Sequence, residues 1–265
     1  MSAVVSNFER KEVKYRLSES QYSQILRGLS TCMEPDSYGR SGIESIYYDT
    51  PERAVIARSL ERPRYKEKLR VRTYETDAAS SVAYVELKKK VSGIVYKRRV
   101  QMSVQGACAY LAGCTYESAQ IRYPLAGVRI DQALCASQQQ IAREIDAFMK
   151  RHPGLSPSMA IEVERTAWRA AQSSEGARAR GLRITFDEDA RYRDLFAGAA
   201  GYRQCAPAEG RLIEAGEALM EVKCAGAYPL WLVDLLASCE AYPVSFSKYG
   251  EAYKICKGSQ EVRCA

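Results

Sequence analysis

Residues 65–74 read YKEKLRVRTY, and the parity of this stretch decides the fold. In a β-strand successive side chains point to opposite faces, so Lys66, Lys68, Arg70 and Arg72 all stand on one side. Cations packed that closely repel one another and are costly to bury without counter-charge. The face looks either into water or at something strongly negative.

The same alternation recurs along the chain. Glu86 and Lys88 share a face while Val85 and Leu87 take the other. Arg183, Thr185 and Asp187 alternate with Leu182, Ile184 and Phe186, and Glu221 and Lys223 alternate with Met220 and Val222. Adding Glu12, Lys14 and Lys248, one face would carry the cations Lys14, Lys68, Arg70, Arg72, Lys88, Arg183, Lys223 and Lys248 against the carboxylates Glu12, Glu86, Asp187 and Glu221. The excess is positive, with carboxylates interleaved.

Around these strands the pattern is one of hairpins. FERKEVKYRL is a first strand, followed by a helix that Ser18 and Gln21 open as a capping box. IESIYYDT, VAYVELKKK and IVYKRRVQMSV follow, with a turn at Ser92-Gly93, then a helix from Asp131 to His152 that Pro153 stops. MAIEVERTAWRA, LRITFDEDA and ALMEVKC complete the strands, and a short apolar helix runs from Pro229 to about Glu240. Segments 176–181 and 198–210 read as loops. About eight strands in this order, with two or three outlying helices, predict a mainly β (α+β) chain forming a closed antiparallel eight-stranded tunnel barrel. Its apolar parity would face outward against helices and its charged parity inward, as a charged lumen. Such a lumen suits a polyanion, with the carboxylates serving ion pairs or a divalent cation.

Bulk properties narrow the function. The 265 residues carry a net charge of +7, fit a single domain over 1–265 and favour anionic partners. Nine scattered cysteines with no CxxC argue for reduced thiols in a cytoplasm, and no signal peptide or membrane-spanning segment is expected. GxxxxGK[ST] and GxGxxG are absent, and the single histidine, His152, stands at a helix end, which excludes the common nucleotide cradles and a histidine triad. Few aromatics share the charged parity, so nucleic acid is not an expected target.

Nine motifs in order carry a resemblance. Glu12-x-Lys14-Tyr15, Tyr47-Tyr48-Asp49-Thr50, Lys68-x-Arg70-x-Arg72, Glu86-Leu87-Lys88, Tyr96-Lys97-Arg98-Arg99, Glu164-Arg165-Thr166-Ala167, Arg183-x-Thr185-x-Asp187, Glu221-Val222-Lys223 and Ser247-Lys248-Tyr249 resemble the vacuolar transporter chaperone (VTC) domain, the polyphosphate polymerase branch of the triphosphate tunnel metalloenzymes. The resemblance implies a tunnel in which Arg70, Arg72, Lys88, Arg165, Arg183 and Lys248 are catalytic. It further implies substrate contacts from Lys14, Lys68, Lys97, Arg98, Lys223, Glu12, Glu86 and Asp187, and an Mn2+ or Mg2+ site at Glu221. ATP and inorganic triphosphate or polyphosphate are the implied partners, and transfer of the ATP γ-phosphate to a polyphosphate chain is the implied reaction. A metal-dependent triphosphatase or polyphosphatase, a non-catalytic polyphosphate or nucleotide binder and an RNA-capping triphosphatase stand as alternatives. Hydrolases of the wider superfamily open with ExExK. Lys14 stands here in place of the second glutamate, which favours the polymerase branch. Fungal members add an SPX domain and membrane segments, so this chain resembles a stand-alone bacterial-type catalytic domain.

Overall fold

A computed structural model describes residues 11–74, 82–92, 94–173, 175–196, 209–224 and 226–264. In chain order its elements are β1 (Lys11–Leu17), α1 (Glu19–Leu29), β2 (Met33–Asp49), α2 (Ala54–Leu60), β3 (Tyr65–Tyr74), β4 (Val82–Val91) and β5 (Ile94–Ser103). There follow α3 (Val104–Leu111), α4 (Tyr116–Arg122), α5 (Ile130–Ala133), α6 (Ala136–Arg151), β6 (Ser156–Ala170), β7 (Leu182–Asp194) and β8 (Glu209–Arg211). The chain closes with β9 (Ala218–Cys224), α7 (Leu230–Ser238), β10 (Pro243–Val244) and α8 (Lys248–Cys264).

The sheet has ten strands in the order β10-β1-β9-β7-β6-β2-β3-β4-β5, with β8 paired to β7. Every pairing whose register is resolved is antiparallel. The order has two ends, so the expected closed barrel of eight strands is corrected: among the described residues the hydrogen bonding gives an open ten-stranded sheet. Two of the extra strands, β8 and β10, are three and two residues long, too short to show a period in sequence. At the other end, residues 94–99 of β5 are all exposed, as in an edge strand.

The chain divides into two compact units, the first made of Met1–Ser41, Val163–Ala190 and Ile213–Phe246, the second of Gly42–Glu162, Arg191–Leu212 and Ser247–Ala265. In the first, the apolar parity of β1, β7 and β9 buries Tyr15, Leu17, Ile184, Phe186, Met220 and Val222 with Ile25 and Leu29 of α1 and Leu232 and Leu236 of α7. α1 starts where expected, because the Gln21 amide donates to Ser18 Oγ and the Ser18 amide to Gln21 Oε1. In the second, Leu69, Val85, Leu87, Val100 and Met102 pack with Ala107 and Tyr110 of α3 and Ala142, Ile145 and Phe148 of α6. The helix expected over 131–152 is two helices, because Cys135 takes an extended conformation and N-caps α6.

Helices α2, α3 and α4 were not expected, being seven or eight residues long. Ser103 and Thr115 cap α3 and α4 through their hydroxyls. α2 is held differently. The fully buried Asp49 carboxylate accepts from the amides of Thr50, Val55 and Ile56 and from the Tyr249 hydroxyl. Arg53, at a left-handed φ of 56°, donates from Nη2 to both carboxylate oxygens of the buried Asp194. The turn expected at Ser92-Gly93 keeps Ser92 at a positive φ of 47°, while Gly93 and residues 198–208 lie outside the described residues.

The Asp49 of the Tyr-Tyr-Asp-Thr run is thus a structural residue. Asp49→Ala strands three amides, and denaturant unfolding is expected to show a loss of about 3 kcal/mol or more; a loss under about 1 kcal/mol would contradict this role.

Candidate functional site: two charged strand faces

In the second unit the register Lys66↔Lys90, Lys68↔Lys88, Arg70↔Glu86 and Arg72↔Tyr84 runs on across β5 as Lys90↔Val95, Lys88↔Lys97 and Glu86↔Arg99. Directly opposed residues of an antiparallel pair share a face. One face of β3–β5 therefore carries Lys66, Lys68, Arg70, Arg72, Lys88, Lys90, Lys97 and Arg99 against the single carboxylate of Glu86. Arg98 pairs with Leu87 and so lies on the helix-covered face, 3.6 Å from Glu144. The register separates it from the other expected substrate ligands.

Glu86 is the hub of this face. Its Oε2 accepts from Arg70 Nε at 2.8 Å and lies 2.6 Å from Arg70 Nη2 and 4.0 Å from Arg72 Nε, while its Oε1 lies 2.6 Å from Lys97 Nζ. Burial would raise this carboxyl, but Arg70, Arg72 and Lys97 outweigh it and bring it down to about 2. Ser45 accepts from Arg72 Nε, and Tyr47 accepts from Arg70 Nη1 at 3.1 Å while stacking on Tyr249. Burial would likewise raise the Tyr47 phenol, but Arg70, then Lys68 and Arg72, bring it down to about 7. Lys248, expected to join a strand face, is instead the first residue of α8. Its neighbours fix its place: Ser247 accepts from Lys68 and Tyr249 stacks on Tyr47.

In the first unit the charged face is balanced. The cross-strand rows are Lys14–Glu221–Thr185 and Glu12–Lys223–Arg183. Glu221 Oε1 is 2.6 Å from Lys223 Nζ and its Oε2 is 4.0 Å from Lys14 Nζ, which also donates to the Phe246 carbonyl. Arg165 grips the buried Asp187 through two bonds of 2.5 and 2.7 Å, and the exposed Arg183 pairs with Asp36 at 3.1 Å. Burial would raise Glu221, but Lys223, Lys14 and Arg165 hold it well below the usual carboxylate range.

Whether Glu221 suits a divalent cation can be read from its surroundings. The described residues contain no group of three or more His, Cys, Asp or Glu placed to hold a metal. Opposite Glu221 in register, however, the buried Thr185 hydroxyl has no hydrogen-bond partner. One carboxylate and one orphan hydroxyl form a hard oxygen set. Oxygen donors of this kind suit Mg2+ or Mn2+, which would compete with Lys223 for Glu221.

Sequence reasoning placed Thr185 on the charged parity but missed Tyr47 as an ionisable partner of Arg70 and Asp36 as the partner of Arg183. It also missed a cavity of about 320 Å3 in the second unit, where Arg191 stands opposite Arg211 beside Arg193, Glu162 and Glu209. Arg191 and Arg193 lie on β7 beyond the strand expected over 182–190, and β8, which carries Arg211, overlaps the end of the loop expected over 198–210.

With this geometry in place, comparison with known proteins is direct. The VTC domain profile matches residues 9–257, and the chain belongs to the VTC domain family. Among solved structures, a Vibrio parahaemolyticus protein described as a candidate adenylate cyclase is 11% identical, covers 94% of this chain and 99% of its own, and superposes with a TM-score of 0.45. The Schizosaccharomyces pombe Mediator head module is 10% identical, with 86% and 90% coverage and a TM-score of 0.35. Likenesses this weak carry no argument. Curated proteins give no match. No helix among the described residues is long and apolar enough to cross a membrane.

Two titrations test the second face. Because the folded value of Glu86 lies below its ordinary 4.5, the stability it contributes is fully present above about pH 4.5 and is lost as pH falls towards 2. The loss should be about 3 kcal/mol, and Glu86→Gln should abolish it; parallel acid profiles for the two proteins would contradict the assignment. Second, one tyrosine should titrate near neutral pH, seen as phenolate ultraviolet absorption. Persistence of that step in Tyr47→Phe would show that another residue produces it.

Proposed function

We propose that this chain is a phosphotransferase that moves the γ-phosphoryl group of ATP onto a growing inorganic polyphosphate chain. The observation that carries the reading is the face of β3–β5, where eight cations share one carboxylate. Directly opposed like charges destabilise a strand pair, and at an effective dielectric of about 20 to 80 two unit charges ~5 Å apart repel by roughly 1–3 kcal/mol. A run of phosphates reverses that penalty. Membership of the VTC domain family supports the same class of ligand.

Within this proposal the second unit grips phosphates through Lys68, Arg70, Arg72, Lys88 and Lys97, Arg by two-pronged contact and Lys as a point charge. Lys248 adds charge in the same unit. Taken by itself, the first unit offers Lys14, Arg165, Arg183 and Lys223 as phosphate contacts, with Glu12 and Asp187 holding neighbouring cations in place. An oxygen of the terminal phosphate of the chain attacks the γ-phosphorus in line. The bond from that phosphorus to the β,γ-bridging oxygen breaks, ADP leaves, and the chain is one phosphate longer. The attacking oxygen is already ionised, so the step requires neither a protein nucleophile nor a general base. Mn2+ or Mg2+ held at Glu221 would neutralise charge on phosphate oxygens.

Purified protein incubated with ATP and Mn2+ should form long acid-labile phosphate chains. Orthophosphate as the sole product would instead assign a triphosphatase or polyphosphatase, and no turnover would leave a binding protein. Arg70→Ala is expected to cut turnover by about 10²-fold or more. It should keep Tm within about 4 °C, because Glu86 retains Arg72 and Lys97; a collapse in Tm would make Arg70 structural.

A further inference from the structure

Strands β3, β4 and β5 run on past the helices that cover them. The core under α3 and α6 stops at Leu69 and Leu87, while the strands continue outward through the rows Glu67–Lys89–Tyr96, Lys66–Lys90–Val95 and Tyr65–Val91–Ile94. The Ser92 amide donates to the Arg64 carbonyl at 2.8 Å and ties this end together. Tyr65, Val91, Ile94, Val95 and Tyr96 are 38–42% exposed there. Five large apolar side chains gathered at one projecting end gain nothing from the fold while they stand in water.

Parity puts Tyr65, Val91, Ile94 and Tyr96 on one face of the sheet and Val95 on the other. A protein partner docked on a flat sheet face covers one side of it. An end that is apolar on both sides instead matches a medium that surrounds it. Charge points the same way. The exposed Arg62 and Arg64 lead into β3, and Lys66 and Lys90 form the middle row. Of the carboxylates close by, Glu67 is held by Arg151 and Glu144 by Lys89, so Glu61, beside Arg62, stands against four cations. A second copy meeting this end through a two-fold axis would set those cations against their own kind, which repulsion opposes.

We propose that this end of β3–β5 docks on an anionic lipid bilayer, its apolar side chains entering the headgroup boundary and its arginines and lysines meeting the lipid phosphates. The dimensions agree, since the two residues from Ile94 to Tyr96 span about 7 Å of strand and interfacial elements sink roughly 5–10 Å. Tyr65 and Tyr96 suit that depth, with the ring in the boundary and the hydroxyl in water. Basic residues at the surface add electrostatic attraction to acidic lipids. The docking goes beyond phosphoryl transfer and does not depend on it: it fixes where the second unit works, at a membrane surface.

The test sediments the full chain with vesicles of equal parts phosphatidylglycerol and phosphatidylcholine, and with vesicles of phosphatidylcholine alone. Wild type should bind the first and not the second, and added sodium chloride should weaken the binding. Ile94→Thr/Val95→Thr changes one apolar side chain on each face and keeps β-branched residues in the strand; it should bind at least ~10-fold more weakly. Arg62→Gln/Arg64→Gln should bind ~10- to 30-fold more weakly. Arg143→Gln/Lys150→Gln, on the exposed side of α6, removes the same charge and should bind like the wild type. Absence of wild-type binding, wild-type binding by either strand-end variant, or an equal loss in the α6 control overturns the proposal. A wild type that ignores both vesicles but forms a dimer that Ile94→Thr/Val95→Thr dissociates gives this end to a second copy of the chain, and overturns it too.

Discussion

Mutual repulsion among the cations of β3, β4 and β5, offset within the sheet by one buried carboxylate, is the constraint on which this structure turns. Glu86 contacts Arg70 and Lys97 directly and Arg72 at 4.0 Å, and five more cations share its face. The other face of the same strands is closed by α3 and α6 over Leu69, Val85, Leu87, Val100 and Met102. Parity leaves no freedom. Once the apolar residues are committed to the helices, the cations of the alternate parity are committed to the opposite side, while Lys89 and Arg98, of the apolar parity, stay on the helix side beside Glu144.

The two units meet this constraint in different ways. In the first, each of these cations has a carboxylate: Glu221 is shared by Lys14 and Lys223, Asp187 pairs with Arg165 and Asp36 with Arg183. Such a face is stable with nothing bound. In the second, charge is left in excess, strong enough to pull a tyrosine to about 7 and a glutamate to about 2. Perturbation of that size concentrates where a protein handles charged ligands. A balanced face needs no bound charge to offset it, and an unbalanced one does.

Much of this was legible in residue order because it depends on a period of two. The alternations in Tyr65–Tyr74 and Ala218–Cys224 placed those strands to the residue and that in Val82–Val91 to within one, and Ser18-x-x-Gln21 placed the start of α1. What stayed hidden depends on long-range partners. Arg98 follows Lys97 and looks equivalent until pairing with Leu87 turns it to the helix side. Lys248 sits in a run without alternation and proves to open a helix. The open sheet order was likewise out of reach, since a two-residue strand at one end leaves no pattern to count. Asp49 stands in one of the runs that carry the family resemblance, and its partners show that it anchors α2.

The most direct measurement is a crystal structure of the protein soaked with tripolyphosphate. The account predicts phosphate oxygens within hydrogen-bond distance of Lys68, Arg70, Arg72 and Lys88, on the side of the sheet away from α3 and α6. Density instead at the Arg191–Arg211 cavity, with the β3–β5 cations touching only solvent, would contradict it.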